Sequence, residues 1–297
     1  MMNPQRDFVG YGKRAPTIEW PHKARIAINL AIAYEEGSEY SLLQGDKHRE
    51  PTNEVTSPVP MDRRDLVNES LFEYGSRTGF WRILSILEKQ NVPGTFFCCG
   101  MALECNPEAG PAITSGGHDI CGHGYRWIQA FEMDRATEWE DMQRACKSIE
   151  TMSGQKPLGW HNRYAPSTNT RELVAEHGQF LYDSNSYNDD IPYFTLINNQ
   201  KLLIVPYSWD TNDARLYRGG GSSTDHYKGL VDTFDQLYEE GTTNPKMMSV
   251  GIHCRVSGRP GRARILEDFI KYAKGFPQVW FARRSDIARW WWDHYSD

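Results

Sequence analysis

Arg25-Ile26-Ala27-Ile28-Asn29-Leu30-Ala31-Ile32-Ala33-Tyr34-Glu35-Glu36-Gly37 is an apolar, β-branched run that ends on two carboxylates and a glycine. Such a run, bounded by a turn residue, reads as a strand buried on both faces, the habit of parallel sheets. The pattern recurs along the chain. His118–Cys121 is followed by His123, Pro157–Trp160 by Arg163, Leu202–Val205 by Asp210 and Asp213, and Met247–Ile252 closes on His253. In a parallel α/β barrel the C-terminal strand ends share one rim, where active sites are built. These acids, bases and cations, far apart in sequence, are therefore expected in one pocket.

Further strands are expected at Thr95–Cys99, Phe180–Asp183 and Gln278–Phe281. Helical spacing or caps mark Arg77–Gln90, Pro107–Ser115, Asp134–Met152, Asn169–Glu176, Asp225–Glu240, Gly261–Ala273 and a segment from Ser285. Eight strands alternating with about seven helices predict one domain over 1–297, a closed or nearly closed (β/α)7-8 barrel of α/β class. An N-terminal arm covers 1–24. A polar rim segment over 37–76 is too long for an ordinary connection and is expected to be a lid or a subunit contact.

Composition narrows the function. A net charge of −6 without a basic face speaks against nucleic-acid partners and for a small-molecule substrate. Nothing resembles a signal peptide or an apolar run of membrane-spanning length, so a cytoplasmic protein with no membrane partner is expected. Six cysteines without CxxC spacing suggest neither a disulfide framework nor a thiolate metal site. Gly219-Gly220-Gly221 lacks the lysine of a phosphate loop and reads as a turn. Asn68-Glu69-Ser70 is a chance sequon. Trp290-Trp291-Trp292 spreads over too much of a helix to face one wall, which points to an oligomer contact.

Five ordered segments carry a resemblance. Tyr34-Glu35-Glu36-Gly37, Gly122-His123-Gly124-Tyr125-Arg126-Trp127, Trp160-His161-Asn162-Arg163-Tyr164-Ala165-Pro166, Asp210-Thr211-Asn212-Asp213 and Gly251-Ile252-His253 resemble the motifs of the polysaccharide deacetylase superfamily, whose members fold as distorted barrels. There, a first-motif Asp pair supplies base and metal ligand, two histidines complete the metal site, and a last-motif histidine is the acid. This chain departs from that pattern. Both Asp positions are glutamate, and Trp127 stands where the second metal-binding histidine belongs. With Val9-Gly10-Tyr11-Gly12, Glu73-Tyr74-Gly75-Ser76-Arg77, His253-Cys254-Arg255 and Trp280-Phe281-Ala282-Arg283-Arg284, the chain looks most like the metal-independent allantoinase branch.

The resemblance implies hydrolysis of a cyclic amide C–N bond, allantoin to allantoate in purine catabolism, by a homo-oligomer without a cofactor. Glu35, sharing the task with Glu36, would take a proton from water, Arg163 or a backbone N–H would steady the oxyanion, and His253 would protonate the departing nitrogen. His123 joins them as a catalytic residue. Trp127, Tyr125, His161, Asp210, Asp213, Arg255 and Arg259 are the substrate-binding or supporting candidates, and Arg262 and Arg264 are further anion-holding options. The two aspartates would orient His253 or pair with Arg163. The alternative is an N-deacetylase of chitin-like polymers with a zinc site built from Glu36, His123 and His161. A catalytically dead barrel kept as a binding module is the third reading.

Overall fold

Strand β1 (Ile26–Tyr34) is buried along its whole length and organises the sheet. Ile26, Ile28, Leu30 and Ile32 face one layer, packing with Phe80, Ile83, Leu266 and Phe269 of the outer helices. The alternate residues Ala27 and Ala31 face the interior with Phe97 and Leu203. Their small side chains, together with Asn29, leave room there for the guanidinium of Arg284, which Asn29 Oδ1 accepts at 3.2 Å. This computed structural model describes residues 6–13, 15–51, 56–218 and 220–296. Outside the described residues lie 1–5 and 14 of the arm, 52–55 of the rim segment, Gly219 of the expected glycine turn, and 297.

From β1 the sheet grows both ways. One edge pairs with β2 (Thr95–Cys98) and β9 (Val279–Phe281), the other with β8 (Lys246–His253). Beyond β2 come β3 (Asp119–Gly122), β4 (Gly159–Trp160), β5 (Tyr182–Asp183), β7 (Gln200–Ile204) and β6 (Tyr193–Ile197), in the order β6-β7-β5-β4-β3-β2-β1-β8. Every pairing is parallel except β6–β7. Among the described residues no ladder closes the ring; the segment after β7 meets β8 through the bridge Asn212 to Gly251. The result is a single-domain α/β half-barrel.

Helices α1 (Leu66–Tyr74), α2 (Phe80–Gln90), α3 (Gly100–Cys105), α4 (Ala109–Ser115), α5 (Arg135–Ser153) and α6 (Thr170–His177) precede the hairpin. After it come α7 (Asp213–Arg218), α8 (Ser223–Glu240), α9 (Cys254–Ser257), α10 (Pro260–Lys274) and α11 (Arg284–Tyr295). Asp134 caps α5 through Thr137 N, and Ser222 and Asp225 form a capping box on α8. The eight expected strands are all present. The ninth, β6, is an addition: it is an antiparallel partner of β7, half-exposed, and its burial pattern is uneven.

Helix α1 lies inside the segment expected to be all loop, and a π-helical turn, Gly75–Gly79, joins it to α2. That turn packs against α9, where a Cβ on Gly79 would run into the Cys254 carbonyl. Gly79→Ala is therefore expected to cost about 1–3 kcal/mol by overpacking. A thermal melt matching the parent would show that the turn can shift without strain.

The tryptophan triplet has partners within the chain, which corrects the argument that sent it to a subunit contact. Trp291 is buried against Trp20, Trp290 donates to Glu19 O, and Trp292 donates to Leu181 O and meets Phe194 edge-on. One helix serves three directions because the arm, the loop before β5 and the hairpin surround it. Among the described residues no helix is long and apolar enough to cross a membrane.

Candidate active site

A cavity of about 310 Å³ opens at the C-terminal strand ends, lined by Glu35, His123, Trp127, His161, Arg163 and His253 among others. A larger groove of about 520 Å³ beside Leu84, Pro93 and His118 holds no comparable set of acids and bases.

Glu35 is the hub. Its Oε2 accepts from Arg255 Nη1 at 2.7 Å, while Oε1 lies 3.3 Å from His123 Nε2 and 3.7 Å from His253 Nε2. Burial alone would favour the neutral acid, but His253, Arg255 and His123 outweigh it and hold Glu35 well below the usual carboxylate range.

Glu36 faces the other way, in the turn that follows β1. Its Oε1 accepts from Arg255 N at 3.0 Å and its Oε2 from Glu35 N at 3.1 Å, under Gly75, where any side chain would strike it. Burial pushes its carboxyl up to about 7 against the pull of Arg255, with Glu35 adding to the rise. The turn expected at Glu36-Gly37 does not bring both glutamates into the cavity.

His253 closes β8 with its Nδ1 2.6 Å from Asp213 Oδ1, and its backbone N–H donates to Asp213 Oδ2 at 2.9 Å. Asp213 also accepts from Ser257 Oγ at 2.6 Å. Burial disfavours the imidazolium, but Glu35 and Asp213 together raise the pKa of His253 above its ordinary value. Nε2, the proton-bearing tip, is thereby directed at the cavity and at Glu35. His123 is fixed similarly, Nδ1 to the His161 carbonyl at 2.6 Å. With Nδ1 donating, the Nε2 contact to Glu35 needs one further proton between ring and carboxylate.

Other candidates fall elsewhere. Arg163 borders the cavity, but its partner is neither aspartate: it clasps Glu50 of the rim segment bidentately, at 2.8 and 2.6 Å, and donates to Trp127 O at 2.8 Å. Its fork is thus spent on holding the rim segment down, and removing either partner would strand a buried charge at a cost of about 3–5 kcal/mol. Asp210 is exposed, 3.7 Å from Arg215. Tyr125 turns away at Gly124, whose φ of +90° suits glycine, and donates to Glu104 at 2.9 Å. Arg259 stacks on Tyr74, Arg262 on Tyr217, and Arg264 pairs with Asp268. Arg255 sits between the rings of Phe72 and Trp127.

Glu50, Tyr187, Tyr207 and Trp209 escaped the sequence reading. Tyr207 lies shortly beyond β7, after Val205 and Pro206, and its hydroxyl accepts from Asn212 Nδ2 at 2.9 Å. Tyr187 and Trp209 stack at 5.9 Å with 10° between planes, forming an aromatic wall of the cavity. Aromatic residues just beyond strand ends were the available signal for these three; Glu50 offered none.

A catalytic zinc takes three protein ligands and leaves one position open. The donors do not fit it. Trp127 presents an indole where an imidazole would be needed, Glu36 points at the Arg255 backbone, and the Glu35 carboxylate already carries a guanidinium. Glu36, His123 and His161 do not converge, and among the described residues no group of three or more His, Cys, Asp or Glu is placed to hold a metal ion.

The half-barrel carries a carboxylate–histidine pair at its rim, and comparison with known proteins gives the family to which the chain belongs. The polysaccharide deacetylase family model matches residues 67–180. A Schizosaccharomyces pombe protein with a polysaccharide deacetylase assignment is 37% identical over 98% of this chain and 98% of its own. A crystal structure from Pseudomonas aeruginosa PAO1 with the same assignment is 45% identical, covers 98% of this chain and 99% of its own, and superposes with a TM-score of 0.93. The crystal structure of PuuE allantoinase is 43% identical, covers 99% of both chains, and has a TM-score of 0.94. This chain belongs to the polysaccharide deacetylase family, hydrolases acting on carbon–nitrogen bonds.

Proposed function

We propose that the protein opens a cyclic ureide by hydrolysing a ring C–N bond, with allantoin as the leading substrate, and that it does so without a metal. The carrying observation is that Glu35 is paired with Arg255 and that Trp127 lines the cavity beside it. The cavity volume suits a small heterocycle, and Tyr187 and Trp209 offer it a flat wall. The likeness to PuuE allantoinase over 99% of the chain points the same way.

The chemistry is consistent with that reading. An N-acetyl sugar expels a poor amine leaving group, for which a Lewis acid contributes much of the barrier lowering. A ureido nitrogen leaves with its charge delocalised onto a neighbouring carbonyl, so less assistance is needed. Glu35 accepts the proton of the attacking water. Arg163 is engaged with Glu50, which leaves the oxyanion to a backbone N–H. His253, protonated and held by Asp213, gives its Nε2 proton to the departing nitrogen.

Side-by-side assays of allantoin ring opening and chitooligosaccharide deacetylation, before and after exhaustive chelation, test this. Ring opening at unchanged rate after chelation is the expected result. Deacetylation that vanishes with the metal would replace the proposal by the polysaccharide reading.

A further inference from the structure

The strand ends hold one another's histidines in sequence. His123, after β3, donates from Nδ1 to the His161 carbonyl, and His161, after β4, donates from Nδ1 to the Ser184 carbonyl after β5, at 2.9 Å. The same bond, repeated one strand further round, accounts for rings that lie parallel, 3° between planes and 5.4 Å between centroids. The far nitrogens differ. His123 Nε2 reaches Glu35, whereas His161 Nε2 hydrogen-bonds to none of the described residues, although the ring lines the cavity between Phe97 and Tyr207.

A ring that keeps its proton on Nδ1 shows a bare lone pair at Nε2. Burial above all, then the neighbouring His123 and Arg284, keep a second proton off His161 by lowering its pKa well below the ordinary value. Arg284 is wholly buried, and its hydrogen bonds run to neutral acceptors. Nε donates to Ser184 Oγ at 3.0 Å, Nη1 to Ser249 Oγ at 2.8 Å, and Nη2 to the carbonyls of Val205 and Pro206. It thus braces the residue whose carbonyl aims His161.

We propose that His161 recognises the substrate by accepting a hydrogen bond from a ring N–H, and that Arg284 is a positioning residue that keeps this acceptor aimed through Ser184. The nature of the N–H rests on the ureide reading: a cyclic ureide carries its N–H donors in the ring, whereas an N-acetyl sugar carries a single N–H on an acyclic amide. Neither residue is required for the acid–base steps.

Two measurements test it independently. Nitrogen-15 NMR of the histidine side chains in the free protein needs no substrate; the His161 signals, assigned by their loss in His161→Phe, are expected to show a protonated Nδ1 and a bare Nε2 at neutral pH. A protonated Nε2 overturns the acceptor role. The second compares KM for a cyclic ureide and for its derivatives methylated singly at each ring nitrogen. Methylation at one position is expected to raise KM about tenfold in the parent, one hydrogen bond's worth, and the penalty should vanish in His161→Phe. Arg284→Gln should shrink it while leaving the penalties at the other nitrogens in place. Ser184→Ala, which removes only the side-chain link, serves the same purpose if Arg284→Gln fails to fold. An undiminished penalty in His161→Phe overturns the recognition, and one undiminished in both bracing variants overturns the positioning. If the parent opens no ureide, the ureide reading fails, and the NMR result alone decides the acceptor.

Discussion

Glu35→Gln will lower kcat by between about 10² and 10⁴, the range spanned by loss of an acid–base group, with the fold retained by circular dichroism. Glutamine keeps the size, and its oxygen can still accept from Arg255, but it cannot take a proton from water. Its neutral amide also strips His253 of one of the two carboxylates that hold its proton. Glu36→Gln is the informative contrast. That carboxyl lies outside the cavity, its pKa is already pushed up to about 7, and a glutamine oxygen can still accept from Arg255 N. A loss of less than about tenfold is expected there, since one of its two backbone N–H bonds survives and the other is lost. Equal losses in the two variants would return the assignment of the base to an open question.

Asp213→Asn will lower kcat by about 10² to 10⁴ and move the alkaline limb of the pH–rate profile to lower pH. The first effect follows the general cost of removing the carboxylate that orients a catalytic imidazole. The second has a definite sign. His253 acts in its protonated form, and Glu35 and Asp213 raise its pKa against the effect of burial. Activity therefore persists below that raised pKa and falls as pH rises through it; without Asp213 the fall begins earlier. An alkaline limb that stays in place would mean that another group supplies the proton.

Much of this site was legible because parallel barrels translate strand ends into neighbours. Glu35, His123 and His253 come together across more than 200 residues, as a shared rim requires. What escaped depends on side-chain direction and on partners distant in sequence. Asp210 and Asp213 look equivalent on paper, yet only Asp213 begins α7 and so is held against β8, while Asp210 remains in solvent. Glu50 precedes Arg163 by 113 positions in a segment with no periodicity, and an ion pair leaves no local signature. The missed hairpin did leave one: Asn198-Asn199 adopts the positive φ angles of a tight two-residue turn, a signal as readable as Asn-Gly. Its first strand was obscured because β6 is half-exposed and lacks clean alternation.

The stitching of α11 to the arm has a practical corollary. Trp290 and Trp291 tie the last helix to Glu19 and Trp20, and the Trp20 indole bonds to Lys246 O at the start of β8. The last helix and residues 19–20 are thus moored at the pole of the barrel where β8 begins, away from the catalytic mouth. A surface-grafted enzyme anchored through α11 would stand with its entrance facing the bulk solution, and a tether there would leave substrate traffic unobstructed.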